Sequence, residues 1–268
     1  MSRLKSTFRA VQSVMILVII AVTNVLPAHS QTRHDAFSVL LERFVVMDEA
    51  GASFVDYDAW KGDAAARQAL DAYVADLASM DLQKIEDRDT QFAAWANLYN
   101  ALTVQLVLDN YPVDSIRQIK SGLFSNGPWK RKLITVAGQK FSLDDIEHGI
   151  LRERWNDPRV HYAVNCASIG CPNLMPQAWE ADTLDDKLDE AARIYVNHPR
   201  GVTVIEGNRL KLSSIYKWFR EDFGGDEQGV KEHLARYADT DLTDALQRGA
   251  TISDYGYDWS LNDAGNIK

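Results

Sequence analysis

The sequence predicts an α+β domain: one central buried helix, further helices packed with it, and small antiparallel β-hairpins. Three observations carry this class. Apolar residues recur at helical spacing in several separate stretches. Two other stretches alternate around glycine-containing turns, and no regular βαβ order links strands to helices. With seven tryptophans and ten tyrosines among 268 residues, the chain has the apolar mass for a substantial core.

Taken in order, residues 34–47 place Phe37, Leu40, Leu41 and Phe44 on one helical face. "SFVDYDAW" (53–60) alternates and reads as a short strand. Residues 63–80 return to helical spacing through Leu70, Tyr73, Val74 and Leu77. From Asp89 to Asn110, one face carries Phe92, Trp95, Tyr99, Leu102 and Leu106. Leu98, Val104 and Leu108 extend the apolar character round the cylinder, so this helix is expected at the centre. "KLITVAGQKFSL" reads as a hairpin turning at Ala137-Gly138. Ser142 then opens a helix with Asp144 and Asp145 in its first turn, and Asp157-Pro158 ends it. "RVHYAVNC" (159–166) reads as a strand with His161 and Cys166 on opposite faces. A helix over 183–197, a hairpin turning near Gly207-Asn208, and helical stretches over 214–223 and 228–247 complete the pattern. The chain closes with "ISDYGYDWSLN".

The first thirty residues read as an export signal. Lys5 and Arg9 provide the positive start, Val14 to Leu26 the apolar run, and Ala28-His29-Ser30 the small residues before cleavage at Gln31. That run is shorter than the ~20 residues a spanning helix needs. No cysteine precedes Cys166, which excludes a lipid-modified N-terminus. The expectation is therefore a periplasmic or secreted protein without stable membrane insertion after cleavage. Cleavage removes Arg3, Lys5 and Arg9 from 29 basic residues, leaving 26 against 38 acidic ones and a formal charge of −12. That balance argues against nucleic acid as a partner.

Polar residues on apolar faces mark the candidate site. At about 100° per residue, Glu147 falls between Ile150 and Leu151, inside the apolar arc of its helix. A half-buried carboxylate needs a partner, so Glu147 is either an acid/base group or the mate of an arginine such as Arg152 or Arg159. His148 sits at the edge of that arc. On the central helix Asn97 and Asn100 lie one turn apart, where amides disfavour helix unless they bind something specific. That something is a neighbouring backbone or a ligand.

Cys166 and Cys171 are the two cysteines of the chain, five positions apart. In an exported protein they read first as a disulfide, worth about 2 kcal/mol for so small a loop. A second reading makes Cys166 a nucleophile, with His161 or His148 as base and Glu147 or an asparagine as orienter. A third, metal held by His161, Cys166 and Cys171 with Glu147 or His148, has spacing wider than common zinc knuckles. Neither metal nor cofactor is expected.

"FAAWANLYNALT" (92–103), "FSLDDIEHGILR" (141–152), "DPRVHYAVNCASIGCP" (157–172) and "YDWSLN" (257–262), in that order, resemble the domain of unknown function 547 family. The family's characteristic positions correspond to Trp95, Asn97, Tyr99, Asn100, Glu147, His148, Arg152, His161, Cys166, Ser168, Cys171 and Pro172. The resemblance implies a domain over 89–262, with 31–88 a helical extension packed on it and 263–268 a tail. It carries no secure reaction. It adds Tyr99, Arg152 and Ser168 to Asn97 and Asn100 as expected contacts of a small-molecule or peptide ligand. Two functions follow as expectations: a cysteine-centred hydrolase or acyl transferase on amide or ester bonds, or a non-catalytic envelope module stapled by Cys166–Cys171.

Overall fold

Phe37, Leu40, Leu41 and Phe44 form the buried face of α1 (Asp35–Phe44), as their spacing requires. The helix stops short of residue 47 because β1 (Val45–Met47) pairs with β2 (Ser53–Val55). Turn chemistry decides this. Asp48 accepts from the N–H groups of Ala50 and Ala52, Gly51 takes a φ of +85°, and β-branched Val45 and Val46 suit the extended form. The strand expected over 53–60 is likewise cut short. Asp56 accepts from the N–H of Ala59 at 2.9 Å and so caps α2 (Tyr57–Gly62). Asp63 caps α3 (Ala64–Ala78) in the same way.

The computed structural model describes residues 32–120, 122 and 127–267; the expected signal, residues 1–30, lies outside the described residues. Arg33–Lys268 is one compact unit, and its centre is α4 (Arg88–Asn110). Residues 91–104 and 106–108 of that 23-residue helix are all buried, so it has no solvent face over most of its length. Helices α2 and α3 pack against it, as does the helix opened by Ser142.

β3 (Ile134–Val136) and β4 (Gln139–Phe141) form the expected hairpin, with Ala137 and Gly138 both at positive φ. Ser142 closes a capping box with Asp145 at the start of α5 (Leu143–Ile146). The helix then widens to π geometry over Glu147–Arg152, recovers as α6 (Glu153–Trp155), and stops at Asn156 in the left-handed region.

The strand expected over 159–165 is a helical turn instead, α7 (Val160–Ala163), followed by extended Val164. Pro158 supplies a helical φ at the turn's start. Asp157 accepts from the N–H of Arg159 at 2.8 Å, which anchors the turn. The β-branched and aromatic residues that suggested a strand are buried on all sides here, where propensity decides little. The opposite-face argument separating His161 from Cys166 lapses with the strand.

α8 (Leu184–Val196) precedes the hairpin of β5 (Val202–Ile205) and β6 (Arg209–Ser213), turning at Gly207 and Asn208. α9 (Ile215–Trp218) and a 3-10 turn over Arg220–Phe223 follow. The stretch expected as one helix divides into α10 (Glu227–Ala235) and α11 (Thr240–Gln247), because Asp239 starts a new cap. β7 (Thr251–Gly256) then adds in parallel to β6. Among the described residues no helix is long and apolar enough to cross a membrane.

Three histidines, His34 and His233 buried and His198 half-buried, sit where a proton is unwelcome. His34 Nδ1 lies 2.6 Å from the Tyr73 hydroxyl, and His233 Nε2 lies 2.7 Å from that of Tyr162. His198 Nδ1 accepts from the N–H of Arg200 at 3.1 Å. Burial pushes each of the three down to about 4. The unfolded chain takes up these protons near pH 6.5, the folded chain only near 4, so stability is full above the higher value and falls towards the lower one. The urea midpoint is expected to decline between pH 6.5 and 4, and less steeply in His233→Gln. A flat midpoint across that window contradicts the assignment.

Candidate functional site

A cavity of about 490 Å³ collects most of the polar residues that the sequence singles out. Tyr99, Glu147, His148, His161, Cys166 and Cys171 line it, with Asp144 and the exposed Lys130. Its aromatic lining comes from Trp129, Trp218, Phe219, Tyr257 and Trp259.

Glu147 and His148 reach this cavity together because they open the π segment. A regular helix turns neighbouring residues 100° apart, and the wider turn brings both to one opening. The Glu147 side chain is 12% exposed. Its partner is neither of the arginines considered from sequence: the Tyr99 hydroxyl donates to it at 3.0 Å. Burial and the Glu147 carboxylate push the Tyr99 phenol well above its usual range, so it stays a donor. Arg159 pairs with Asp157, Asp185 and Asp189.

Arg152 is committed to Asp222. Its Nε and Nη2 donate to the two carboxylate oxygens at 2.6 and 2.9 Å, and its Nη1 donates to His148 Nδ1 at 3.1 Å. His148 therefore carries its proton on Nε2, which faces Asp144 at 3.4 Å. The same Asp222 receives His161 Nε2 at 2.6 Å. Burial opposes ionisation of Asp222, but the hydrogen bonds from His161 and Arg152 outweigh it and hold the carboxyl well below the usual range. A carboxylate accepts, so Nε2 of His161 is the protonated nitrogen. Nδ1 is left on the side of Glu147, 4.0 Å from its carboxylate. His161 is 2% exposed and stacks on Phe219 at 4.3 Å, with Arg152 over that ring at 4.8 Å. One carboxylate thus fixes the orientation of the imidazole and of the guanidinium together.

Cys166 and Cys171 are joined in a disulfide with Cα atoms 6.3 Å apart. The Tyr257 hydroxyl lies 3.1 Å from each sulfur and 2.9 Å from the Ser168 hydroxyl. Burial pushes the Tyr257 phenol well above its usual range. Cys166 is half-buried and Cys171 buried. His161 and Cys166 line one cavity, yet no hydrogen bond joins them among the described residues.

Asn97 and Asn100 do not line the cavity; they clamp the chain that does. Asn100 Nδ2 donates to the Ala163 carbonyl and its Oδ1 accepts from the N–H of Asn165, at 2.9 and 2.8 Å. Asn97 makes the same two-bond clasp on Trp179, at 2.9 Å both ways. Each side-chain amide acts as one rung of a β-ladder. Asn100→Ala leaves a buried N–H and removes one acceptor's partner, and is expected to cost about 2–4 kcal/mol, read as a lowered urea midpoint. Asn100→Asp, which keeps the acceptor and loses the donor, is expected to recover part of it. A midpoint within about 0.5 kcal/mol of wild type in both variants contradicts the clamp.

Asp222, Tyr257 and the tryptophans of the cavity were not singled out by sequence. Asp222 sits in an ordinary charged run, "REDF", and its partners lie far away in the chain. The motif "YDWSLN" did hold Tyr257 and Trp259, and its aromatic density was the signal available. Among the described residues no group of three or more His, Cys, Asp or Glu side chains is arranged to hold a metal.

No curated protein and no solved structure matches the chain. One family model does, over residues 82–196, the stretch that contributes α4, Glu147, His148, His161 and both cysteines. That stretch matches the model of the family described as "Protein of unknown function, DUF547".

Proposed function

We propose that this cavity is the site of a cysteine-centred hydrolase or acyl transferase acting on amide or ester bonds, in an exported protein. The observation that carries the reading is the His161–Asp222 pair at 2.6 Å, whose histidine is buried in the wall of the cavity that Cys166 also lines. A histidine oriented through one nitrogen by a carboxylate, with its other nitrogen left as a lone pair, is the base that nucleophilic catalysis needs. Asp222 takes the orienting role that sequence had left to Glu147 or an asparagine.

The chemistry requires the dithiol form. A dithiol reductant opens Cys166–Cys171, giving two thiols and its own disulfide. Cys166 then loses its proton to His161 and attacks the carbonyl carbon. His161 returns the proton to the leaving amine or alcohol, and water or an acceptor resolves the thioester. The Tyr257 hydroxyl, kept protonated by burial, is a donor for the oxyanion. Export rests on the N-terminal sequence pattern, and a disulfide suits an oxidising compartment. The bond itself favours a second reading, a non-catalytic envelope module in which the staple frames a ligand pocket.

The test is alkylation of the mildly reduced protein with iodoacetamide, followed by peptide mass spectrometry across pH. Cys166 is expected to react faster than Cys171, with a midpoint below the ~8.5 of a free thiol. His161→Ala and Asp222→Asn are expected to raise that midpoint. Equal reactivity of the two thiols, indifferent to His161, sinks the enzyme and leaves the binding module.

A further inference from the structure

We infer that the cavity recognises an organic cation, a primary ammonium on an apolar stem, with its charge at Glu147 and its stem against the tryptophans. The inference rests on reading the cavity as a ligand site, and it does not depend on thiol chemistry.

The argument starts from charge. Glu147 is nearly buried, and among the described residues its hydrogen bond is from a neutral donor, Tyr99. The cations around it are spent or distant. Arg152 gives its guanidinium to Asp222 and His148. His161 gives Nε2 to Asp222, and its Nδ1, like that of His148, stays 4.0 Å from Glu147, outside hydrogen-bond range. Lys130 lines the cavity but is solvent-exposed. A carboxylate so placed retains acceptor capacity directed at whatever fills the space.

The second observation is the aromatic lining. Trp218 is 48% exposed, unusual for so large an apolar side chain. It stacks on Trp259 at 5.6 Å and lies 4.9 Å from the Tyr257 ring. Three electron-rich rings lining one cavity with a carboxylate that has acceptor capacity to spare are the combination that attracts an alkylammonium: the rings take the stem and part of the charge, the carboxylate takes the N–H donors. An anionic ligand would meet Glu147 and Asp144 with the same sign. For the proposed reaction, the class of substrate is an amide or ester carrying a lysine-like amino group.

The test titrates the oxidised full-length protein with n-hexylammonium and with n-hexanol, following tryptophan fluorescence. In the oxidised state Cys166 cannot attack, so binding is read apart from catalysis. The cation is expected to bind at least tenfold more tightly than the alcohol. Glu147→Gln is expected to abolish that preference while leaving hexanol binding in place, which also shows that the cavity is still formed. Trp218→Ala is expected to weaken both ligands and keep their ratio. Equal affinities in wild type, no binding of either ligand, or a preference that survives Glu147→Gln and disappears in Asp144→Asn overturns the inference. A positive result with unreactive Cys166 overturns the enzyme reading alone.

Discussion

The candidate site depends on two side-chain amides of the central helix. α4 is buried on nearly all sides, which leaves no water to satisfy Asn97 and Asn100. Both amides therefore pair with backbone, at Trp179 and at Ala163 and Asn165. Those backbone points bracket the cysteine loop and follow directly on His161. A helix that cannot move in the core thus fixes a loop that has little regular structure of its own. The clasp extends outward: Asn165 donates to the Pro172 carbonyl and accepts from the N–H of Ala167, and Asn262 ties Tyr57 to the same region. Satisfied polar networks of this kind fix one arrangement, because each alternative strands a buried donor or acceptor.

Asp222 does for the titratable groups what the asparagines do for the backbone. It alone accepts from both His161 and Arg152, and Arg152 in turn settles the tautomer of His148. With His161 and Arg152 both donating to Asp222, Glu147 takes its hydrogen bond from the Tyr99 phenol, although it lies close to both residues. The two carboxylates differ: Asp222 is doubly paired, while among the described residues Glu147 is hydrogen-bonded to a phenol alone. Environment rather than residue type separates their roles.

Local physics was legible in the sequence, and long-range pairing was not. The all-round apolar character of 89–110, the turns at Ala137-Gly138 and Gly207-Asn208, and the Ser142 cap depend on neighbours a few residues away, and each forms as read. The partial burial of Glu147 follows from its place among Ile146, Ile150 and Leu151. Its partner does not, because Tyr99 approaches from another helix. The helical turn at 160–163 was hidden because Val, Tyr and Ala suit a buried strand equally well, and only Pro158 and Asp157 spoke for a turn. The π segment and the parallel pairing of β7 leave no periodic trace. Asp222 looked like one more surface acid until its partners 61 and 70 residues away were in place.

The disulfide is one of several bonds that hold its loop. Besides the asparagine clasp, Arg200 donates to the carbonyls of Ile169 and Cys171 and to Asn173. Ile169 and Gly170 give their N–H groups to the carbonyls of Ser260 and Asp258 at 2.8 Å. Gly170 is required there, since a Cβ would stand 2.8 Å from the Asp258 nitrogen. The Tyr195 hydroxyl holds the Gly170 carbonyl from the other side. Closing a loop of ~6 residues adds about 2 kcal/mol by restricting the unfolded chain. Each of these hydrogen bonds contributes ~1 kcal/mol, so together they hold the loop at least as strongly as the disulfide does. Cys166 thus lines the cavity from a loop that hydrogen bonds hold on several sides besides its own disulfide.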